Sequence, residues 1–195
     1  MAIVVPCFLG IDPGLAHFGW GLVAVSDGKL DVVSAGCFVT EKSDKKRKVL
    51  SADDNVRRAQ QLARSLMNLV APKIVTNGNA IRIICAESMS APRHSSSAAK
   101  LSLSWGVVSA LSVVYGIPLV QASPQEIKLA ATGKRNASKE DIQEAMRREL
   151  PGAEAAVSKT VTRKDDLEHP YDALAAVWAC RHSQLAIAMA RDFEV

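Results

Sequence analysis

Apolar runs alternate with short breaks over the first forty residues. Ile3 to Ile11, rich in Ile, Val and Phe, stops at Asp12-Pro13-Gly14; Phe18 to Val25 follows at hairpin distance, and Leu30 to Val39 makes a third run. Runs of this length and composition, bounded by Asp, Pro and Gly, predict three neighbouring strands. Proline has no ladder donor and glycine takes the turn, so the first strand ends with Asp12 at its edge. A Lys-rich connection then leads to helical spacing, with Val56, Ala59, Leu62, Leu66 and Leu69 recurring up to Val70. Ser51 and Asp54 stand at capping-box separation, and Arg57, Arg58 and Arg64 are assigned to the wet face. Asn77-Gly78-Asn79 is a turn signal, after which Ala80 to Ala86 reads as a short buried strand ending in Glu87.

Helices dominate the second half. Ser96 to Tyr115 predicts a long helix closed by Gly116 and apolar nearly all round, with Ala98, Leu101, Trp105, Val108 and Leu111 on one side and Val107, Ala110 and Val114 on another. One sheet face cannot cover such a helix, so a second helix layer or a partner subunit is expected. Ile117 to Gln121 is a further strand, and Ser123-Pro124-Gln125-Glu126 opens a helix through about Ala131. Gly133 to Ala137 is a basic turn, and Ser138 with Asp141 caps a helix that ends at Pro151-Gly152. Pro151 to Glu168 has no period and is predicted to be a mobile loop. Apolar spacing returns from Pro170 to about Arg191 as one final helix. The sum is an α/β fold, a mixed five-stranded sheet with helices on both faces, in one domain over residues 1–195.

Composition narrows the class. At 195 residues and 48% hydrophobic the chain can bury a proper core. No apolar run reaches the roughly 20 residues of a membrane helix without interruption, and no signal peptide is evident, so an intracellular, cytoplasmic protein with no membrane partner is expected. Cys7, Cys37, Cys85 and Cys180 lie far apart without a CxxC pair, which points to reduced thiols rather than a disulfide framework or zinc site. The net charge is only +4, but Lys42, Lys45, Lys46, Arg47 and Lys48 are clustered.

The candidate chemistry is acidic. Asp12 and Glu87 both close apolar strands, and His169-Pro170-Tyr171-Asp172 starts the last helix, with Pro170 at the first helical position, His169 as N-cap and Asp172 where free amides favour its charged form. Each acid alone also reads as a turn or helix cap. Together they are carboxylates that repel unless a cation is present. Hard oxygen ligands suit Mg²⁺ or Mn²⁺, and two such ions roughly 3.5–4 Å apart can stabilise both oxygens of phosphodiester hydrolysis.

Leu9-Gly10-Ile11-Asp12-Pro13-Gly14 with Gly19 and Gly21, the strand closed by Glu87, Ala98 with Lys100-Leu101 and Gly106, and Tyr171-Asp172-Ala173-Leu174-Ala175 resemble the RuvC Holliday-junction resolvases over nearly the whole chain. That resemblance implies an RNase H-like fold and a homodimer that cuts opposed strands of a four-way junction, each site with two Mg²⁺, and it raises a branch-migration helicase as a further partner. By position, Asp12, Glu87 and Asp172 match the family's metal-binding acids and His169 a fourth position occupied by Asp or His. Lys128 and Lys139 match two lysines near the scissile phosphate. Arg93, His94 and Ser95, before the long helix, suit phosphate contacts, as they would suit a serine-rich cap. The family commonly has an aromatic residue just after the glutamate; here Ser88, Met89 and Ser90 follow. Two other readings share parts of the pattern: an actin-like or sugar-kinase-type ATP-binding enzyme, through the Asp12-Gly14 loop, and a non-catalytic junction-binding protein.

Overall fold

Five strands form one mixed sheet in the order β3-β2-β1-β4-β5. The computed structural model describes residues 5–44, 46, 48–75, 79–89 and 94–191. β1 (Val5–Asp12), β2 (His17–Ser26) and β3 (Lys29–Val39) are joined antiparallel by short turns, as the spacing of the apolar runs predicts. β4 (Asn79–Glu87) pairs parallel with β1, and β5 (Leu119–Ala122) parallel with β4. Parallel neighbours need a crossover, and α1 (Ser51–Val75) and α2 (Ser95–Tyr115) supply it. The rest is helical: α3 (Pro124–Thr132), α4 (Lys139–Glu149), α5 (Ala153–Thr160), α6 (Glu168–Cys180) and α7 (Gln184–Arg191).

Strand parity divides the core between the two faces. Leu9 and Ile11 of β1 pack with Leu62 and Leu66 of α1 and Trp105 and Val108 of α2. Phe8, from the alternate positions of β1, packs on the opposite face with Leu174 and Val177 of α6 and with α3, α4 and α5. A bulge in β4 sets the phase. The pairing steps from Cys7↔Ile81 to Phe8↔Ile83, so Arg82 is the extra residue, and from there Ile83 and Cys85 lie on the α6 face. Glu87, two residues on, shares that face.

The expected capping boxes at Ser123/Glu126 and Ser138/Asp141 are both formed. The one expected at Ser51/Asp54 is not: Ser51 is already helical, and Asp54 instead accepts from Ser43 and Arg57. Those partners hold the Asp54 carboxyl down at about 2, the Ser43 hydroxyl first. Arg58 is buried rather than wet, donating to the hydroxyl and carbonyl of Thr40. The turn expected at 77–79 falls mostly outside the described residues, as do Lys45 and Arg47 of the basic cluster.

Three larger departures matter for function. Residues 151–168 are not a loop: α5 buries Ala153, Ala156 and Val157 beside β3, Thr160 donates to the carbonyl of Ala35, and a 3-10 turn spans Lys164–Asp166. The final helix is two, because the chain turns at residues 181–183 between α6 and α7. And α2, against the expectation that no run would qualify, is long and apolar enough to cross a membrane by length and composition. Trp105, Val108 and Leu111 bury one of its sides, while Val113 and Val114 stay 82% and 68% exposed.

Candidate active site

The antiparallel and parallel ladders meet where the chemistry gathers. Ile11 pairs with Ala86, so one step further along both strands Asp12 comes alongside Glu87. Over this edge lies the N-terminal part of α6, which brings His169 from its first turn and Asp172 from the start of its second. Glycine makes the approach possible. A Cβ on Gly10 would stand 2.1 Å from the Ala173 carbonyl oxygen, and one on Gly19 2.1 Å from that of His169, so α6 rests directly on the backbone of β1 and β2.

His169 Nδ1 lies 2.8 Å from Asp12 Oδ2, and Nε2 lies 3.7 Å from Glu168 Oε1. Burial alone would lower the imidazole pKa, but the hydrogen bond and charge of Asp12, with Glu168 and Asp172 behind it, leave it above its ordinary value. Glu87 is pushed up to about 7 by burial and then by Asp12, with Lys128 pulling the other way. Asp172 is likewise pushed up to about 7, by burial first and then by Asp12 and Glu87. A helix start with Pro170 first was expected to favour its charged form; α6 instead starts at Glu168, which makes Pro170 third and Asp172 fifth, past the free amides, and loss of water and like charge prevail. Nor is His169 the N-cap, since the helix begins at Glu168 and His169 sits inside the first turn.

The structure therefore brings Asp12, Glu87, His169 and Asp172 together, with Lys128 of α3 near enough to act on Glu87. Lys139 reaches the same edge, with Nζ 2.6 Å from Glu168 Oε2, a pairing that raises its pKa. His94 and Ser95 are exposed at the start of α2, and among the described residues no contact ties them to the carboxylates; Arg93 lies outside those residues. Sequence reasoning missed His17. Its ring stacks on His169 at 5.2 Å and 12°, and its Nδ1 lies 2.9 Å from Asp166 Oδ1. The available signal was parity: His17 and Gly19 occupy alternate positions of β2, on the face that receives α6.

An oxygen-rich set that raises its own proton affinity fits a hard divalent cation, because positive charge at that point would reverse the repulsion. Asp12, Glu87 and Asp172 are the residues whose oxygens would hold such an ion, with His169 at their side.

The profile of "Crossover junction endodeoxyribonuclease RuvC" matches residues 8–155, which include Asp12, Glu87, Lys128 and Lys139 but end before His169 and Asp172. The RuvC of Synechococcus sp. (strain CC9605) is 32% identical over 152 residues, 73% of this chain and 82% of that protein. That of Treponema denticola is 28% identical over 171 residues, 88% and 83% of the two chains. Among solved structures, T. thermophilus RuvC in complex with Holliday junction substrate superposes with a TM-score of 0.65 at 19% identity, covering 89% of this chain and 91% of that one. The yeast mitochondrial Holliday junction resolvase Ydc2 gives 0.60 at 16%, covering 97% and 84%. These two show the expected RNase H-like fold. With its profile match across most of the length and its relatives above 30% identity, the chain belongs to the RuvC family of crossover junction endodeoxyribonucleases, which are metal-dependent nucleases.

Proposed function

We propose that this protein resolves four-way DNA junctions by paired, Mg²⁺-dependent phosphodiester hydrolysis as a homodimer. The observation that carries the chemistry is the convergence of Asp12, Glu87 and Asp172 at one sheet edge, two of them with proton affinity raised to about 7. Asp12, Glu87, Asp172 and His169 would hold two Mg²⁺, with Mn²⁺ as a substitute, and those ions supply charge stabilisation for the attacking and leaving oxygens. His169 Nδ1 is engaged by Asp12, so Nε2 is the atom with which a neutral imidazole would either ligate a cation or relay a proton, one role excluding the other. Lys128, half-buried and close enough to act on Glu87, would neutralise a phosphate oxygen. Lys139 can do the same once it leaves Glu168. His94 and Ser95, with Arg93 before them, remain candidates for backbone contacts further along the DNA.

The dimer reading rests on α2. A groove of about 360 Å³ between α1 and α2 is lined by Ala59, Met67, Gly106, Val107, Ala110 and Val114, small and apolar residues that admit another helix. A second copy of α2 would cover this face and so pair two active sites in one assembly.

Asp12→Asn is the direct test on a synthetic four-way junction in Mg²⁺. Cleavage should fall by at least about 100-fold, since one ligand and the His169 partner go together. Product formed at the wild-type rate would end the assignment. Wild-type products should be symmetric paired nicks.

A further inference from the structure

We propose that His17, Cys37 and Asp166 form a second metal site, separate from the nuclease carboxylates and selective for a zinc-class divalent cation. The three side chains come from different elements and converge. His17 and Cys37 stand on the adjacent strands β2 and β3, on the same sheet face, because Cys37 pairs with Gly19 two residues from His17. Asp166 comes from the 3-10 turn between α5 and α6. One donor atom from each, Nδ1, Sγ and a carboxylate oxygen, lies within 4.8 Å of the others, and the Nδ1 to Oδ1 separation is 2.9 Å. Tetrahedral zinc bonds of about 2.0–2.3 Å set neighbouring ligand atoms about 3.3–3.8 Å apart, so small side-chain rotations complete the set.

Ligand chemistry separates this site from its neighbour. Thiolate and imidazole favour zinc-class ions over Mg²⁺, whereas the carboxylates of the nuclease centre favour hard ions. The surroundings suit a cation: the Cys37 thiol is held up at about 12 by burial first and then by the negative charge of Asp166 and, further off, of Asp12. Both acids would favour positive charge there, and a bound ion would displace the thiol proton to solvent. Access exists too. Cys37 and Asp166 are walls of a cavity of about 500 Å³ shared with Arg57, Thr160 and Arg163, which leaves room for water at a fourth position. The ion would tie β2 and β3 to the turn that starts α6, clamping the helix that carries His169 and Asp172, and the His17 ring that would bind it stacks on His169.

Cobalt(II) reports thiolate ligation by absorbance, independently of cleavage. Full-length, metal-free, reduced protein in excess Mg²⁺ should bind one equivalent of Co²⁺ with a near-ultraviolet thiolate-to-metal charge-transfer band and the intense visible bands of a tetrahedral site, and one equivalent of Zn²⁺ should bleach both. The charge-transfer band should vanish in Cys37→Ser, weaken at least 10-fold in affinity in His17→Gln and Asp166→Asn, and persist in Asp12→Asn. A wild-type protein without the band overturns the site outright, whether or not the variants fold. A band that survives Cys37→Ser places the thiolate elsewhere and overturns it equally. Retention of the band in Asp12→Asn, alongside lost cleavage, separates this site from the nuclease assignment.

Discussion

Asp172 shows how little a residue's place in a helix says about its charge. Burial, Asp12 and Glu87 together lift it from 3.8 to about 7, and Glu87 rises from 4.5 to about 7 for similar reasons. Because folding raises both values, their protonated forms stabilise the metal-free fold fully at acid pH, and that stability is lost as pH climbs through 7. The raised pKa of His169 acts in the same direction. In EDTA, the melting temperature should therefore fall between pH 5 and pH 8, and the fall should be shallower in Asp172→Asn. Equal slopes in the two proteins would refute the buried-acid account. Added Mg²⁺ at pH 8 should recover the loss, since the cation binds the charged form. Gly19 acts at the same scale without any charge. In Gly19→Ala the new methyl meets the His169 carbonyl at 2.1 Å, so the first turn of α6 must lift. About 1–3 kcal/mol of stability should go, read by urea unfolding, with junction cleavage falling further than stability does because the His169–Asp12 contact opens. Wild-type cleavage with wild-type stability would show that the contact relaxes freely.

Elements were legible wherever apolar residues were large. The first three strands, the Glu87 strand and the capped starts of α3 and α4 follow directly from Ile, Val, Leu and the cap signatures. α5 did not, because its buried positions are mostly alanine, which marks a face only weakly, and its two flanks carry Gly152 and polar residues. Arg58 departs in the opposite way: an arginine at a helical position reads as solvated, yet its guanidinium is satisfied inside by Thr40. The acids read as strand ends and a helix start, but their common environment does not, since it depends on glycines in two strands meeting a helix about 150 residues or more later. Amide hydrogen exchange tests the revised segment. Amides late in α5, such as Val157 to Thr160, and that of Val161, bonded to Val157, should exchange at least about 100-fold more slowly than an unstructured chain. Random-coil rates there would return the segment to a loop.

For the whole molecule, the two sheet faces are covered unequally, and the proposed homodimer rests on that difference. The face under α6 is closed by α3, α4 and α5, whereas α1 and α2 cover the other and leave Val113, Val114 and Met67 open. Val114→Glu should convert dimer to monomer in sedimentation velocity with little change in the circular dichroism of the chain. Such a monomer should nick junctions without pairing the nicks. An unchanged sedimentation coefficient would move the interface off α2.

The way α6 seats on bare strand backbone also bears on how the enzyme comes into being on the ribosome. All five strands have been synthesised by Ala122, yet the groove above Gly10 and Gly19 has no helix to receive until residues 168–180 have emerged. Asp12 and Glu87 are encoded with the sheet, whereas His169 and Asp172 arrive only with the helix that seats on it, so the proposed cutting centre is completed by a later segment than the sheet that carries it.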